Sequence, residues 1–388
     1  MAGPLAGVRV LELPAIGPVP FLGMLLADLG ASVIKIDRLP GTARDLDLPT
    51  GALARGRRSI GVDLRRPGGA ELALKIIERS DVLIEGFRPG VAERLGVGPD
   101  AALERNPALV YGRMTGWGQN GPLAARAGHD INYLAISGAL HGIGEHDRAP
   151  VPPVNYLADF GGGALVLASG VLAALLHARA TGVGQVVDAA MTEGAAYLST
   201  MTRQLLGQGS WVDERERNLL DGGAPNYRCY RCADGRFVAV GALEPKFWAE
   251  LVRGLDADPA EVPDPYQRDQ WPACAEWLAG RFATRSRDEW AELFADTDAC
   301  VAPVLTLAEA PNHPHSRARD SFVEVDGHQV AAPVPRFFAT PTTPGRVPVA
   351  GADTDAILDE LGITGAGRER LRSDRTVADV DTPQRSGS

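Results

Sequence analysis

The sequence predicts an α/β fold, with a large domain built on a parallel sheet and a smaller α+β domain in the second half of the chain. Residues 7–37 have the pattern strand, helix, strand over about 30 residues, which is the size of a parallel crossover. Further on, residues 229–242 resemble a hairpin, and three amphipathic helices follow it. A chain of 388 residues is long enough for two domains that each bury a core.

The first crossover consists of strand 7–13, a loop through Gly17 and Pro18, helix 21–29 and strand 31–37. This layout is Rossmann-like, but the loop has no G-x-G-x-x-G motif, so a bound dinucleotide is only weakly indicated. The same alternation continues to residue 190. Its remaining elements are a short strand next to 54–63, helix 68–79 and strands at 81–85, 109–114 and 185–190.

Several arginines lie near the ends of these strands. Open α/β sheets bind ligands at the carboxyl ends of their strands, so one edge of the sheet could gather enough positive charge to bind several phosphates. The alternative is that each arginine is an ordinary solvated side chain. The candidates for binding phosphate are Arg38, Arg57, Arg58, Arg88 and Arg94.

An imidazole and a carboxylate stand where the local pattern predicts helix starts. His129 begins the helical stretch to Ile136, and Asp159 precedes three glycines and a long apolar run. A carboxylate at a helix start is stabilised by the helix dipole, and the free N–H groups of the first turn can receive developing negative charge. An acid/base pair beside such a helix end is what proton abstraction next to a carbonyl requires.

Each candidate also has an ordinary structural explanation. His129 could be a structural histidine, Asp159 a plain helix cap, Asn155 a loop residue and Glu244 the start of the helix after Pro245. The spacing of His129 and Asp159 does not prove that they meet. Tyr133 lies four residues after His129, so its phenol should share the face of the imidazole.

Composition excludes several functions. The net charge of −10 argues against a nucleic-acid partner. The four cysteines do not form a disulfide framework, and the C-x-x-C at Cys229–Cys232 lacks the second half of a zinc site. The other histidines show no metal-binding spacing, and no G-x-S-x-G elbow indicates a serine hydrolase. With no evident signal peptide, and with an apolar run at 164–176 judged too short to span a bilayer, we expect a cytoplasmic protein without a membrane partner.

Four motifs resemble those of the α-methylacyl-CoA racemases, which form a branch of the class III CoA-transferase family. They are Arg-Met-Thr-Gly-Trp-Gly-Gln-Asn-Gly-Pro at 113–122, Gly-His-Asp-Ile-Asn-Tyr-Leu at 128–134, Pro-Pro-Val-Asn-Tyr-Leu-Ala-Asp-Phe-Gly-Gly-Gly at 152–163 and Leu-Asp-Gly-Gly-Ala-Pro at 220–225. The resemblance runs over nearly the whole chain, and the motifs are long enough to be specific.

The resemblance implies a Rossmann-like large domain made from both ends of the chain and an interlocked homodimer, with each active site between the large domain of one chain and the small domain of the other. The predicted segments are a large domain at 1–200 completed by 330–372, a linker at 201–225, a small domain at 226–325, a Pro-rich return at 326–350 and a flexible tail at 373–388.

The resemblance also assigns roles. His129 and Asp159 become the two acid/base groups, Glu244 orients and charges His129, and Asn155 neighbours Asp159. Tyr133 would line the acyl pocket. Gly17 and Gly116, in loops that follow predicted strands, complete the predicted substrate-binding residues together with the arginines.

The hypothesis is a racemase that interconverts (2R)- and (2S)-2-methylacyl-CoA through an enolate and needs no cofactor or metal, since CoA is part of the substrate. The related transferases use the aspartate as a nucleophile and commonly carry an aromatic residue at the position of His129, which favours the racemase. The alternatives are a CoA-transferase with an acyl intermediate on Asp159 and a non-catalytic CoA-binding protein.

Overall fold

A computed structural model describes residues 3–39 and 51–378 of the chain. These residues form two compact units. The first contains 3–39, 51–137, 154–198 and 315–378, and the second contains 138–153 and 199–314. The second unit therefore takes in 138–153, which the sequence had placed in the large domain, and ends before the predicted boundary at 325.

The first unit is built on six parallel strands in the order β3-β2-β1-β4-β5-β6, which confirms the predicted α/β fold. Its strands are β1 (Arg9–Glu12), β2 (Ser32–Asp37), β3 (Arg57–Gly61), β4 (Val82–Glu85), β5 (Val110–Thr115) and β6 (Gln185–Ala190). The residues of β4 and β5 are all buried, as expected for central strands covered on both faces.

Helices cover this sheet and connect its strands. They are α1 (Pro18–Asp28), α2 (Pro67–Ile77), α3 (Val91–Arg94), α4 (Pro99–Arg105), α5 (Asp130–Ser137), a π-helix (Tyr156–Leu165), α6 (Val166–Thr181) and α7 (Met191–Leu198). The π-helix crosses α7 closely at Gly162, where an added Cβ would lie 2.6 Å from the Ala195 nitrogen. A glycine is therefore needed at this crossing.

The π-helix and α6 are continuous, and together they span the 26 residues Tyr156–Thr181. Of the described helices, this one alone is long and apolar enough to cross a membrane, so the expectation that the apolar stretch is too short was wrong on length. Its most apolar stretch is 44% buried inside the protein, and a core helix of a globular protein can be equally long and apolar.

The C-terminal segment returns to the first unit. A hairpin of β10 (Phe322–Val325) and β11 (His328–Ala331) is followed by α13 (Thr354–Glu360) and α14 (Ala366–Ser373), so the segment predicted as a Pro-rich connection begins inside a hairpin. The predicted flexible tail is ordered at its start, because Val377 pairs with Val62 and the Thr376 carbonyl accepts from the Asp63 amide at 2.9 Å. Residues 379–388 lie outside the described residues.

The second unit has its own core. The antiparallel sheet β7 (Arg228–Arg231), β8 (Phe237–Val240) and β9 (Val301–Pro303) packs with α9 (Pro245–Gly254), α10 (Trp271–Phe282) and α11 (Arg287–Phe294). The unit also contains α8 (Thr200–Gly207), and only the first residue of the short helix α12 (Pro314–Ala318) belongs to it. Aromatic rings make its centre, with the ring centroid of Phe282 lying 5.3 Å from those of both Tyr230 and Trp290. All four cysteines are free thiols, as the absence of a disulfide pattern predicts.

Candidate active site

His129 and Asp159 lie at the starts of two neighbouring helices. His129 directly precedes α5, where its amide donates to the Asn132 Oδ1 at 3.0 Å and its carbonyl accepts from the Asn132 amide at 2.8 Å. The imidazole is exposed. These bonds fix the backbone of His129 as a helix cap while leaving its side chain available to a ligand.

Asp159 lies inside the first turn of its helix, rather than ahead of it. The π-helix begins at Tyr156, so Asp159 is its fourth residue, and the three glycines that follow are part of the helix. The carboxylate is half-buried, and its Oδ2 accepts a bond of 3.2 Å from the Asn155 side-chain amide. The predicted neighbourhood of Asn155 and Asp159 is therefore present in the structure.

Asp130 joins the two helix starts. Its Oδ2 accepts from the backbone amides of Ala158 at 2.9 Å and Asp159 at 2.8 Å, and the residue is only 6% exposed. Since Asp130 directly follows His129 in the chain, these two bonds link the backbone next to His129 to the backbone at Asp159. It also occupies two of the first-turn N–H groups that the sequence had offered to a developing negative charge, so these two are not free.

The surroundings of Asp159 raise the pKa of its carboxyl group above the ordinary value. Burial is the largest cause, and the negative charge of Asp130 adds to it. The hydrogen bond from Asn155 and the nearby His129 act in the opposite direction. Burial therefore works against the stabilisation expected from the helix dipole, and it makes Asp159 a stronger proton acceptor when ionised.

A glycine faces the Asp159 carboxylate from the loop before α1. Gly17 has a φ of 66°, and a Cβ added there would lie 3.3 Å from Asp159 Oδ2. Four residues later, Phe21 stacks on Phe160 with ring centroids 4.5 Å apart. The loop through Gly17 is thus held against Asp159. The predicted binding of substrate by Gly17 stays a prediction.

Tyr133 is a residue of α5 whose side chain packs against the backbone that precedes the helix. Its ring packs against Gly116 and Gly128 and meets Trp117 edge-on at 4.8 Å, and its hydroxyl donates to the Gly128 carbonyl. Burial, with Asp159 nearby, raises the pKa of Tyr133 to about 12. The residue is 7% exposed, so it supports the backbone before His129. Its predicted contact with an acyl group stays a prediction.

Two of the predicted arginines follow strands at the expected edge of the sheet. Arg38 comes after β2 and Arg88 after β4, and both are exposed, as is Arg94 at the end of α3. A cavity of about 250 Å³ opens beside Arg38. Its other lining residues are Pro14, Val62, Asp63, Leu64, Arg65, Phe87, Val91 and Leu95.

The prediction that Arg57 and Arg58 share this edge is wrong. They are the first two residues of β3, at the opposite end from the carboxyl ends of the strands. Arg57 is fully buried and donates to Glu12 at 2.6 Å, and Arg58 pairs with Glu360 at 2.8 Å. Arg57 therefore neutralises a carboxylate inside the first unit.

Glu244 lies in the second unit, where it is exposed and precedes α9 without capping it through its side chain. Its predicted partnership with His129 stays a prediction.

The sequence reasoning missed Asp130, although an aspartate in the first turn of a predicted helix is a known signal for stabilising helix ends.

Each comparison with known proteins finds a match that covers most of the chain. The family model described as CoA-transferase family III matches residues 5–354. The α-methylacyl-CoA racemase of Mus musculus is 45% identical over 377 residues, which cover 96% of this chain and 97% of the mouse protein. The β subunit of succinyl-CoA–L-malate CoA-transferase from Chloroflexus aurantiacus is 31% identical over 399 residues, which cover 96% of this chain and 98% of that subunit. The crystal structure of a CaiB/BaiF family protein from Brucella suis superposes with a TM-score of 0.79 at 26% identity, covering 93% of this chain and all of that one.

Proposed function

The chain belongs to CoA-transferase family III, and from that premise we propose that it is a racemase that interconverts (2R)- and (2S)-2-methylacyl-CoA thioesters. The observation that carries the proposal is that Asp130, the residue after His129, accepts from the backbone amides of Ala158 and Asp159, and so links the two helix starts that carry the imidazole and the carboxylate. The 45% identity to a racemase, against 31% to a CoA-transferase subunit, supports the choice within the family.

Two bases are needed because racemisation requires the proton to leave one face of C2 and return to the other. In our proposal, either His129 or Asp159 removes the α-proton, and the electron pair of the C–H bond moves into the thioester to give an enolate. The other residue, protonated beforehand, then gives a proton to the opposite face. The roles exchange for the other enantiomer, so no external oxidant, reductant or cofactor is required.

The energetic difficulty is the weak acidity of the α-proton. A gap of about ten pKa units between a thioester and its base corresponds to about 14 kcal/mol. One oxyanion donor contributes about 3–4 kcal/mol, so several are required. Since the Ala158 and Asp159 amides already donate to Asp130, the thioester oxygen needs other donors together with exclusion of water.

We propose that the CoA moiety is held along the edge of the sheet by Arg38, Arg88 and Arg94. These three arginines are exposed, and the cavity beside Arg38 has an apolar wall that includes Phe87 and Leu95. Binding energy from CoA, which does not react, can then position C2 between the two bases. Variants with alanine at these arginines should raise KM more than they lower kcat.

We further propose that the working form is a cytoplasmic homodimer. Large apolar side chains are exposed on the first unit, including Leu176 at 71% and Tyr197 at 77%, and exposed apolar surface is typical of an interaction site. In this arrangement Glu244 of the partner subunit orients His129. Sedimentation should give twice the chain mass, and Glu244→Gln should lower kcat without changing that mass.

The direct test is exchange of the α-proton in D2O without an acceptor acid. We expect both enantiomers of a 2-methylacyl-CoA to gain deuterium at C2 and to racemise, with activity lost or badly impaired in His129→Ala and in Asp159→Ala. Transfer of CoA to an added free acid, with no exchange and with an acyl adduct on Asp159, would instead establish a transferase. Thioester binding that survives His129→Ala, with neither reaction in the native protein, would indicate a non-catalytic CoA-binding protein.

A further inference from the structure

The carboxylate of Asp130 is buried next to both proposed bases without being one of them. One oxygen, Oδ2, accepts the amides of Ala158 and Asp159. The other, Oδ1, is buried and has no hydrogen-bond partner among the described residues. An aspartate that only stabilised a helix end would normally direct its second oxygen to water or to a donor, because an unpartnered buried oxygen costs stability.

The negative charge of Asp130 also has no ion-pair partner among the described residues. None of the ion pairs between described residues involves it, although other buried carboxylates such as Glu12 and Asp28 each have an arginine partner. The groups that face Asp159 are the Asn155 amide, the His129 imidazole, Asp130 and the Tyr133 phenol, with Arg88 near the phenol. Of these, only Asp130 brings a second negative charge to the Asp159 carboxylate.

We infer that Asp130 is a positioning residue for the proton transfer, since it holds the first turn of the π-helix so that Asp159 faces the substrate and uses its charge to keep Asp159 a strong proton acceptor. This inference rests on the proposed racemase function. It accounts for the orphaned oxygen, because a neutral or ion-paired cap would fix the backbone equally well but would leave Asp159 a weaker base.

The substitution Asp130→Asn separates the two roles. Asparagine retains an oxygen that can accept from the Ala158 and Asp159 amides, and it removes the charge. Asp130→Ala removes both. Asp258→Asn is the matched control, because Asp258 caps the short helix Pro259–Glu261 by accepting from the Ala260 amide at 3.0 Å in the second unit.

The measurement is kcat/KM for deuterium exchange at C2 of a 2-methylacyl-CoA as a function of pH. On the acid side, activity falls when the base that must take the α-proton is already protonated. In Asp130→Asn we expect this acid limb to move to lower pH. In Asp130→Ala we expect the same movement and a fall in kcat of about 100-fold, the typical effect of misplacing a reacting group. Asp258→Asn should change neither.

A helix cap with a purely structural role would lower the height of the profile and leave the position of its limb unchanged. An unmoved acid limb in Asp130→Asn, in a native protein that does catalyse exchange, would overturn the inference alone. If Asp130→Asn does not fold, Asp130→Ser supplies an uncharged acceptor one bond closer to the backbone, and an unmoved acid limb in that variant would overturn the inference equally. Absence of exchange in the native protein would refute the racemase proposal and this inference with it.

Discussion

Replacing Gly17 by alanine tests the position of Asp159 without touching its carboxylate. Gly17 has φ 66° and ψ −114°, a combination found almost only in glycine. Forcing alanine into it costs about 1–3 kcal/mol, which corresponds to a decrease in Tm of a few degrees. The added methyl would also lie 3.3 Å from Asp159 Oδ2, which is tighter than most real Cβ contacts, so the carboxylate must move by a few tenths of an ångström.

A displacement of this size next to a reacting carbon should lower kcat by about tenfold, given that 1 Å can cost about 100-fold. The assay is exchange of the C2 proton at saturating substrate, together with thermal unfolding. Gly121→Ala is the control, because Gly121 has φ 92° and nothing lies within 4 Å of an added Cβ. It should share the loss of Tm and keep its activity. Equal activities in Gly17→Ala and Gly121→Ala would refute the placement of Gly17 beside the reacting carboxylate.

Three further predictions concern the charges and the phenol around the site. Arg57→Met leaves Glu12 buried without its partner and should lower the free energy of unfolding, measured in urea, by about 3–5 kcal/mol. Arg58→Met removes a partly exposed ion pair and should lower it by less than about 1 kcal/mol. Similar losses of stability in the two variants would contradict the buried role of Arg57. Burial raises the folded-state pKa of Asp159 above its unfolded value, so ionisation of this carboxyl group at neutral pH costs stability. The variant Asp159→Asn should therefore unfold at a higher Tm than the native protein at pH 7, and the difference should vanish at low pH. Its activity should fall by about 100-fold or more. A lower Tm in Asp159→Asn at pH 7 would reverse the sign of this argument. Tyr133, whose pKa is about 12, stays protonated, so Tyr133→Phe should lower stability by about 1 kcal/mol and leave the pH profile of activity in place; loss of a limb from that profile would make the phenol an acid/base group.

The parallel sheet could be predicted because its central strands are short apolar runs separated by helical stretches. Val82, Leu83 and Ile84 are almost fully buried, as expected of a central parallel strand that is covered on both faces. His129 and Asp159 could be placed at helix starts for a related reason, since both stand at the point where a polar loop gives way to helical periodicity.

What the sequence could not give is the direction of side chains across the sheet. Arg57 is polar and lies among other arginines, which suggested a surface cluster, but its register on β3 sends it under α1 to Glu12. The role of Asp130 was hidden in the same way, because its two hydrogen bonds reach residues 28 and 29 positions later in the chain. Contacts of this kind depend on how helices pack, and a local pattern does not record them.

The π-helix illustrates a limit of local propensity. Three consecutive glycines favour a loop, since glycine loses the most conformational freedom in a helix. Here Gly162 lies inside a helix because α7 crosses at that point and leaves no room for a side chain. Tertiary packing therefore overrides the local preference and moves the start of the helix three residues ahead of Asp159.

The most direct test of the two-base account is where deuterium appears first when one enantiomer of a 2-methylacyl-CoA reacts in D2O. The base that takes the α-proton holds it on one face, while the acid on the other face has already exchanged with solvent. At early times, deuterium should therefore be found at C2 of the inverted product and be nearly absent from the recovered substrate. Deuterium accumulating in the recovered substrate, with its configuration retained and little inversion, would contradict the account, because a single base would then be returning the proton to the face from which it came.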